Sequence, residues 1–284
     1  EVLKSTPGIY ATKQGGGFGD SKVNIRGFKT ENSAMMINGV PMNDMEWGGI
    51  YWSNWAGLSD VTRSMQVQRG LGASALGISS VGGTMNMVTK STEAQKGGSA
   101  YFGIGNDGFR KYSVSFSTGL MDNGWAITFM GSLNTGDGYV KGTNYEGWTY
   151  FGNISKVIND HHKLSLTAFG APQWHNQRST MHYIEDYKNS PDGGRFNNGY
   201  GYINGEAVGS GYGYNYYHKP QVSLNHYWTI DEKSTLTTQR NIAVSLRHTV
   251  FQDEESDTDH FSIRLNGYRR RTPCPWRDEQ LADY

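Results

Sequence analysis

The sequence contains a single cysteine, Cys274, and no long apolar run. One cysteine cannot build a disulfide framework, a cysteine-based zinc cluster or a CxxC redox pair. Because no run of about 18 apolar, uncharged residues occurs, the sequence excludes a transmembrane helix. The 26 basic residues are balanced by 26 acidic ones. The chain therefore lacks the basic field that attracts nucleic-acid backbones, and no nucleic-acid partner is expected.

The hydrophobic content is also low, at 36% of residues, while glycine and aromatic residues are abundant. The chain has 38 glycines, 18 tyrosines and 8 tryptophans. Aromatic residues favour strands and glycines favour tight turns. This balance predicts many short β-strands joined by glycine-containing turns rather than a helical core.

Residues 97–239 alternate between apolar and polar residues with a period of two. Tyr112, Val114 and Phe116, for example, are interleaved with serines. Such alternation is typical of strands with one apolar and one polar face. A length near ten residues suits a tilted membrane-crossing β-strand. Strands are predicted at residues 98–106, 109–119, 124–134, 147–157, 162–171, 219–230 and from 234 to 239 onward.

The connections between these strands alternate in length. Tight turns at residues 121–124, 159–162 and 231–234 separate longer loops at 136–146 and 172–218. Outer-membrane barrels have this arrangement, with short periplasmic turns and long external loops. The short connection at residues 105–108 is an exception, because it falls on the side of the long loops. The pattern predicts antiparallel transmembrane β-barrel strands.

Residues 240–284 depart from this pattern. They contain charge clusters at residues 253–255 and 269–271, the cysteine, and a single glycine, Gly267. We interpret this segment as an atypical charged tail that is foreign or frame-altered. A long polar external loop is the alternative.

Five segments within the first 96 residues resemble, in order, the plug domain of TonB-dependent outer-membrane receptors. They are LKSTPGI at residues 3–9, VNIRGF at 23–28, MINGVPMND at 36–44, SMQVQRG at 64–70 and VGGTMNMVTK at 81–90. Each segment alone is a weak signal, but five collinear matches form a specific one. The Asn38-Gly39 pair within them also predicts a type I′ hairpin.

The resemblance implies a small α+β plug domain over residues 1–96, beginning upstream of Glu1, followed by an incomplete antiparallel transmembrane β-barrel over 97–239. Plugged transporters have about 22 strands, more than the residues after position 96 can supply. The implied function is energised uptake of a scarce or chelated nutrient, such as a siderophore, haem, vitamin or oligosaccharide. The implied location is the bacterial outer membrane. TonB, with its inner-membrane energising complex, outer-membrane lipid and a small-molecule or glycan ligand would be the partners. Neither a cofactor nor catalysis is expected.

Candidate functional residues follow from the same reasoning. Arg26 and Arg69 each precede a glycine, where a guanidinium could face acidic groups of the barrel wall and take part in gating. Two groups of aromatic residues are candidates for stacking on a substrate, and an interfacial aromatic girdle is the alternative for the second. The plug group is Trp47, Tyr51, Trp52 and Trp55; the loop group is Trp174, Tyr212, Tyr214 and Tyr216.

Other functional classes have weaker support. A secreted, soluble, β-rich glycan-binding module would show the same aromatic and glycine content. Residues 70–75 imitate a GxGxxA dinucleotide fingerprint, but no further βαβ units follow. His161, His162, His175 and His182 do not have a spacing that brings metal ligands together, so no metal site is predicted.

Overall fold

The computed structural model describes residues 6–13, 18, 21–44, 48–70, 80–90, 95–178, 182–204, 206–208, 214–231, 234–243 and 246–249. These residues form a small plug, up to Lys90, and a larger wall sheet that begins at Gly97. Every helix among these described residues is too short and too polar to cross a membrane.

The plug combines two small sheets with very short helices. β1 pairs antiparallel with β2, and a four-stranded sheet has the order β4-β3-β6-β5, in which β3 and β6 run parallel. This is the predicted small α+β domain. Its elements are β1 Ile9–Lys13, β2 Ser21–Ile25, a 3-10 turn Thr30–Asn32, β3 Ser33–Ile37, β4 Val40–Pro41, a 3-10 helix Trp52–Trp55, α1 Leu58–Val61, β5 Thr62–Arg69 and β6 Gly83–Thr89.

The hairpin between β3 and β4 confirms the prediction from Asn38 and Gly39. Their φ angles are +52° and +81°, as a type I′ turn requires at both central positions. The Asn38 side chain also ties the turn to β6, because its Oδ1 accepts the backbone N–H of Thr89 at 2.9 Å and its Nδ2 donates to Thr89 Oγ1 at 2.9 Å.

The wall is a ten-stranded antiparallel sheet in which β7 to β10 pair in sequence order, and β10 then pairs with both β11 and β12. The longest, β8, β9 and β10, have 11, 12 and 13 residues, lengths that fit a membrane-crossing strand. The strands are β7 Gly97–Ile104, β8 Arg110–Leu120, β9 Trp125–Gly136, β10 Tyr145–Val157, β11 His162–Gly170, β12 Gln173–His175, β15 Asn215–His218, β16 Gln221–Thr229, β17 Thr235–Ala243 and β18 Leu246–Thr249.

Two prolines interrupt neighbouring wall strands at the same level. β11 and β12 both pair with β10 and are separated at Pro172, while β16 and β15 pair with β11 and β12 and are separated at Pro220. Proline cannot donate a hydrogen bond to the sheet, so the ladder breaks at each. Because β12 extends β11, β15 extends β16 and β18 extends β17, the ten strands occupy seven wall positions.

Connections alternate in length, as predicted. Tight turns join β8 to β9, β10 to β11 and β16 to β17 at one end of the sheet, which we call the turn end. At the other end, the loop end, residues 137–144 and the long connection from β12 to β15 lie together. The long connection contains α2 Ile184–Asn189, a 3-10 turn Gly193–Arg195 and the strand pair β13 Gly201–Ile203 and β14 Glu206–Val208.

Strand pairing continues past residue 239, where the sequence predicts the start of an atypical tail. β17 remains paired with β16 as far as Ala243, and β18 pairs with β15 through Thr249. The charge clusters at 253–255 and 269–271 lie outside the described residues, so the nature of the tail stays a prediction.

Candidate functional site

The wall sheet has its apolar face outward and its polar face inward. On β8 and β9, Val114 is 58% exposed, whereas Ser117 and Thr128 on the opposite face are 7% and 6% exposed. On the following strands, the apolar side chains of Ile154, Leu166 and Leu224 are exposed in the same way. A water-soluble sheet would bury these side chains. The wall therefore presents a lipid-facing surface.

The polar inner face of the wall packs against the plug. Thr149 Oγ1 donates to the Ala56 carbonyl at 2.9 Å, and the Trp55 ring stacks on Phe169 with centroids 5.8 Å apart. Lys111 Nζ lies 2.7 Å from Asp60 Oδ2, which forms an ion pair between wall and plug. Plug residues and inner wall residues such as Phe151 share one buried hydrophobic cluster.

A cavity of about 450 Å³ separates the plug from β7, β8 and β9. Plug residues Asp60, Arg63 and Lys90 line one side, and Ser115 and Ser117 of the wall line the other. The plug therefore packs closely on β10 and β11 and less closely on the first wall strands.

At the loop end, an aromatic and polar cluster joins the plug to the inner wall. Phe18 of the plug stacks face to face on Tyr145, with centroids 4.1 Å apart and an interplanar angle of 3°. Its ring also lies edge-on to His175 at 6.0 Å. Tyr145 pairs with His175 across β10 and β12, and Gly147 pairs with Gln173 one rung further along.

Two plug residues from the predicted aromatic group lie near this end. The Tyr51 ring faces Tyr217 of the wall with centroids 6.5 Å apart, and Trp52 is partly exposed in the adjacent 3-10 helix. Trp55 is only 4% exposed and is covered by Phe169, so its ring offers no free face to a ligand. Trp47 lies outside the described residues.

The loop group lies on the opposite face of the wall. Trp174 stands between Gln173 and His175, which are each 1% exposed and face inward, so Trp174 faces outward. Trp174 pairs with Tyr216 and stacks on Tyr214 at 6.1 Å. This placement fits an interfacial aromatic girdle and separates these residues from the plug cluster. Tyr212 lies outside the described residues.

Tyr214 has a perturbed phenol. Burial raises the pKa of its hydroxyl above the usual value of 10.0, and the neighbouring Tyr216 phenol raises this pKa further. The hydroxyl therefore stays protonated and remains a hydrogen-bond donor at neutral pH, as expected of an amphipathic interfacial residue.

Arg26 and Arg69 lie beside each other in the plug. A side chain at Gly8 would stand 3.6 Å from Arg26 Cγ and 3.7 Å from Arg69 Cδ, so both side chains flank this glycine. Arg69 Nη1 donates to the Pro7 carbonyl at 3.4 Å. Arg26 has a φ of +53°, a conformation that non-glycine residues seldom adopt. Both side chains are exposed, and neither forms an ion pair with a described residue.

The external loops are joined to one another by ion pairs. Arg195 Nη2 lies 2.6 Å from Asp107 Oδ1, and Lys141 Nζ lies 2.5 Å from Asp192 Oδ1. These pairs connect the β7–β8 turn and residues 137–144 to the long connection. In the part of the chain that the structure describes, three or more His, Cys, Asp or Glu side chains do not come together as metal ligands. The GxGxxA segment lies largely outside the described residues.

Sequence reasoning missed the inward cluster of Phe18, Tyr145, Gln173, His175 and Tyr217. Part of this cluster could be predicted from the sequence, because in a strand the residues on either side of Trp174 point to the face opposite to Trp174. The contact of Phe18 with the wall had no such signal, since it joins residues more than a hundred positions apart.

A lipid-facing antiparallel wall with a separate domain packed on its polar inner face defines the class of plugged outer-membrane β-barrels. The family model described as "TonB-dependent Receptor Plug Domain" matches residues 1–84. Residues 1–84 thus match the plug domain of this receptor family, and the lipid-facing wall that follows fits a location in the outer membrane. A closed barrel is not formed by the described strands alone.

Similar proteins agree with this assignment. The vitamin B12 transporter BtuB of Vibrio vulnificus (strain CMCP6) is 28% identical over 167 residues, 56% of this chain and 27% of that protein. BtuB of Photobacterium profundum is 26% identical over 178 residues, 60% of this chain and 28% of that protein. The chain thus spans little more than a quarter of these relatives.

Solved structures share the fold at low identity. The ferric citrate transporter FecA in its unliganded form matches with a TM-score of 0.65 and 17% identity, over 87% of this chain and 37% of that one. The copper transporter OprC matches with a TM-score of 0.62 and 15% identity, over 90% and 36%.

Proposed function

We propose that the receptor containing this chain imports a scarce or chelated nutrient across the outer membrane, using energy delivered by TonB. The observation that carries the proposal is a plug seated on the polar inner face of a lipid-facing wall. Such a plug blocks the lumen, so a bulky nutrient passes only when the plug moves. The relatives named above are transporters for vitamin B12, and the similar structures include transporters for ferric citrate and copper.

Within this function, each part of the chain has a distinct role. The loop end of the wall and the plug residues Tyr51 and Trp52 would contact the nutrient. Arg26 and Arg69 would take part in gating, because two adjacent exposed guanidinium groups can form charge-assisted hydrogen bonds with acidic groups elsewhere in the barrel. Work comes from the inner-membrane proton gradient, so neither a resident cofactor nor a catalytic residue is required.

The test is nutrient uptake in a Gram-negative host that produces the receptor containing this chain. Uptake of a panel that includes vitamin B12, ferric citrate and an oligosaccharide is measured in cells with and without TonB. We expect uptake of one compound to require TonB. Equal uptake in both strains, or recovery of the receptor in the soluble fraction, would contradict the proposal.

Gating by the arginines is tested separately. We expect Arg26→Ala combined with Arg69→Ala to change TonB-dependent uptake while leaving equilibrium binding of the nutrient at the cell surface unaltered. A double variant that lowers binding and uptake in equal proportion would contradict the gating role.

The alternative of a secreted, soluble, glycan-binding module has no support from the wall. A soluble module would not leave Val114, Phe116, Ile127 and Phe129 exposed in one band. A glycan nevertheless remains one class of ligand for the membrane receptor.

A further inference from the structure

The loop end of the inner wall contains a group of uncharged polar side chains beneath Phe18. Gln173 and His175 are each 1% exposed, and His175 Nδ1 hydrogen-bonds to Gln173 Oε1 at 2.7 Å. Beside them, Asn176 Nδ2 donates to Asn144 Oδ1 at 2.7 Å. We call Tyr145, Gln173, His175 and Asn176 the amide pocket.

Two atoms of the amide pocket are buried without a hydrogen bond to any described residue. They are Nε2 of Gln173, a donor, and Oδ1 of Asn176, an acceptor. A buried amide group without a hydrogen-bond partner lowers the stability of the folded chain. A ligand that supplies one acceptor and one donor would give both atoms a partner.

Phe18 covers part of this group from the plug side. Its ring lies against Gly147, where a Cβ would come within 3.2 Å of Phe18 Cζ, and it covers the face of Tyr145.

We propose that the amide pocket is a ligand subsite for an uncharged compound, and that the ligand replaces Phe18 on Tyr145. The inference rests on the proposed uptake function. The compound would carry hydroxyl or carboxamide groups beside a flat face. Amide, imidazole and phenol groups both donate and accept hydrogen bonds, as hydroxyls and carboxamides do. The flat face would take the place of the Phe18 ring, now stacked at 4.1 Å.

The surroundings disfavour an anionic chelate. The side chains of Tyr145, Gln173 and Asn176 carry no charge at neutral pH, and the loop cations Arg195 and Lys141 are already paired with Asp107 and Asp192. An anion entering this pocket would lose its hydration, and these three side chains would supply no opposite charge.

Binding to the purified receptor containing this chain tests the proposal. Isothermal titration calorimetry would use three probes: cyanocobalamin for a carboxamide-bearing ligand, maltoheptaose for a hydroxyl-bearing one, and ferric citrate for an anionic chelate. We expect one uncharged probe to bind and ferric citrate not to bind. Which uncharged probe binds identifies the source of the polar groups.

Variants assign the binding to the pocket. Gln173→Met keeps the length of the side chain but removes its amide, and we expect affinity for the uncharged probe to fall about tenfold. Leu166→Met, on the outward face of β11, is the matched control and should leave affinity within about twofold. Phe18→Ala should raise affinity, because the ligand no longer has to displace a stacked ring. Folding of each variant is checked by heat-modifiable migration on SDS gels.

Three outcomes would overturn the proposed ligand subsite: ferric citrate as the preferred ligand, no binding of either uncharged probe, or unchanged affinity in Gln173→Met. These results are separable from the uptake function. TonB-dependent uptake of ferric citrate, for example, would support the transporter while removing the uncharged-ligand subsite.

Discussion

At the scale of single residues, Gly57 marks the closest approach of the plug backbone to the wall. Its φ is +73°, and a Cβ there would lie 2.4 Å from Thr149 Oγ1 and 2.9 Å from Thr149 Cβ. A side chain would add left-handed backbone strain of about 1–2 kcal/mol and overpacking of about 1–3 kcal/mol. We expect Gly57→Ala to destabilise the seated plug by about 2–5 kcal/mol. Differential scanning calorimetry of the receptor in detergent would measure this as a lower unfolding temperature.

Gly152→Ala is the matched control. Gly152 lies on the same strand as Thr149, but a Cβ at this position would meet no heavy atom within 4 Å. Because the added methyl group has open space, we expect a change within about 0.5 kcal/mol. If both variants were destabilised equally, the close contact between Gly57 and Thr149 would not be the cause.

At the scale of elements, the β3–β4 hairpin depends on Asn38 in two ways. The residue adopts a positive φ, and its side chain holds β6 through Thr89. Asn38→Gly removes only the side-chain bonds, and Asn38→Ala also places an unsuitable residue at positive φ. We expect a loss of about 1–2 kcal/mol for Asn38→Gly and about 1–2 kcal/mol more for Asn38→Ala. Urea unfolding of the receptor in detergent would measure both. Equal losses would show that backbone conformation contributes nothing at this turn.

The elements also show what sequence patterns could predict. The wall strands were predictable because membrane-facing strands keep a strict period of two, and the β3–β4 turn because Asn-Gly favours positive φ at both positions. The short helix α1 ends at Val61. Thr62 begins β5, and its hydroxyl bonds to the Leu58 carbonyl at 2.7 Å. The β-branched Thr62 favours the strand that follows.

The candidate site was less predictable than the strands. Tyr51 and Trp52 could be proposed because aromatic residues are conspicuous in a sequence, but aromatic content does not tell which face of a strand a residue occupies. The sequence therefore could not reveal that Trp174, Tyr214 and Tyr216 lie on the outward face of the wall. Phe18 and the amide pocket depend on contacts between the plug and β10 or β12, and such distant contacts follow from packing rather than from local pattern.

At the scale of the whole molecule, the wall has apolar side chains outside and polar side chains inside. The effect of a charged substitution on stability therefore depends on the face that carries it. Val114 faces lipid near the middle of β8, and Ser115 faces the cavity that Arg63 and Lys90 line. We expect Val114→Glu to destabilise the receptor by about 2 kcal/mol, because a carboxylate would face hydrocarbon. Ser115→Glu should have little effect, since its charge meets water and two cations. Urea unfolding in lipid vesicles measures both; equal losses would contradict the assignment of the faces.

The ion pair between Lys111 and Asp60 joins the wall to the plug, so it bears on how firmly the two parts hold together. Its side chains are 22% and 23% exposed, and the Nζ–Oδ2 distance is 2.7 Å. Less solvent reaches this pair than an open surface pair, so its coupling should be about 1–2 kcal/mol. A double-mutant cycle with Asp60→Asn and Lys111→Gln, measured by calorimetric unfolding, gives this coupling energy. We expect the energy to decrease between low and high salt, because ions screen partly exposed charges. If the losses of stability in the two single variants were strictly additive at low salt, the plug would be held by packing at Thr149 and Phe169, without help from this charge pair.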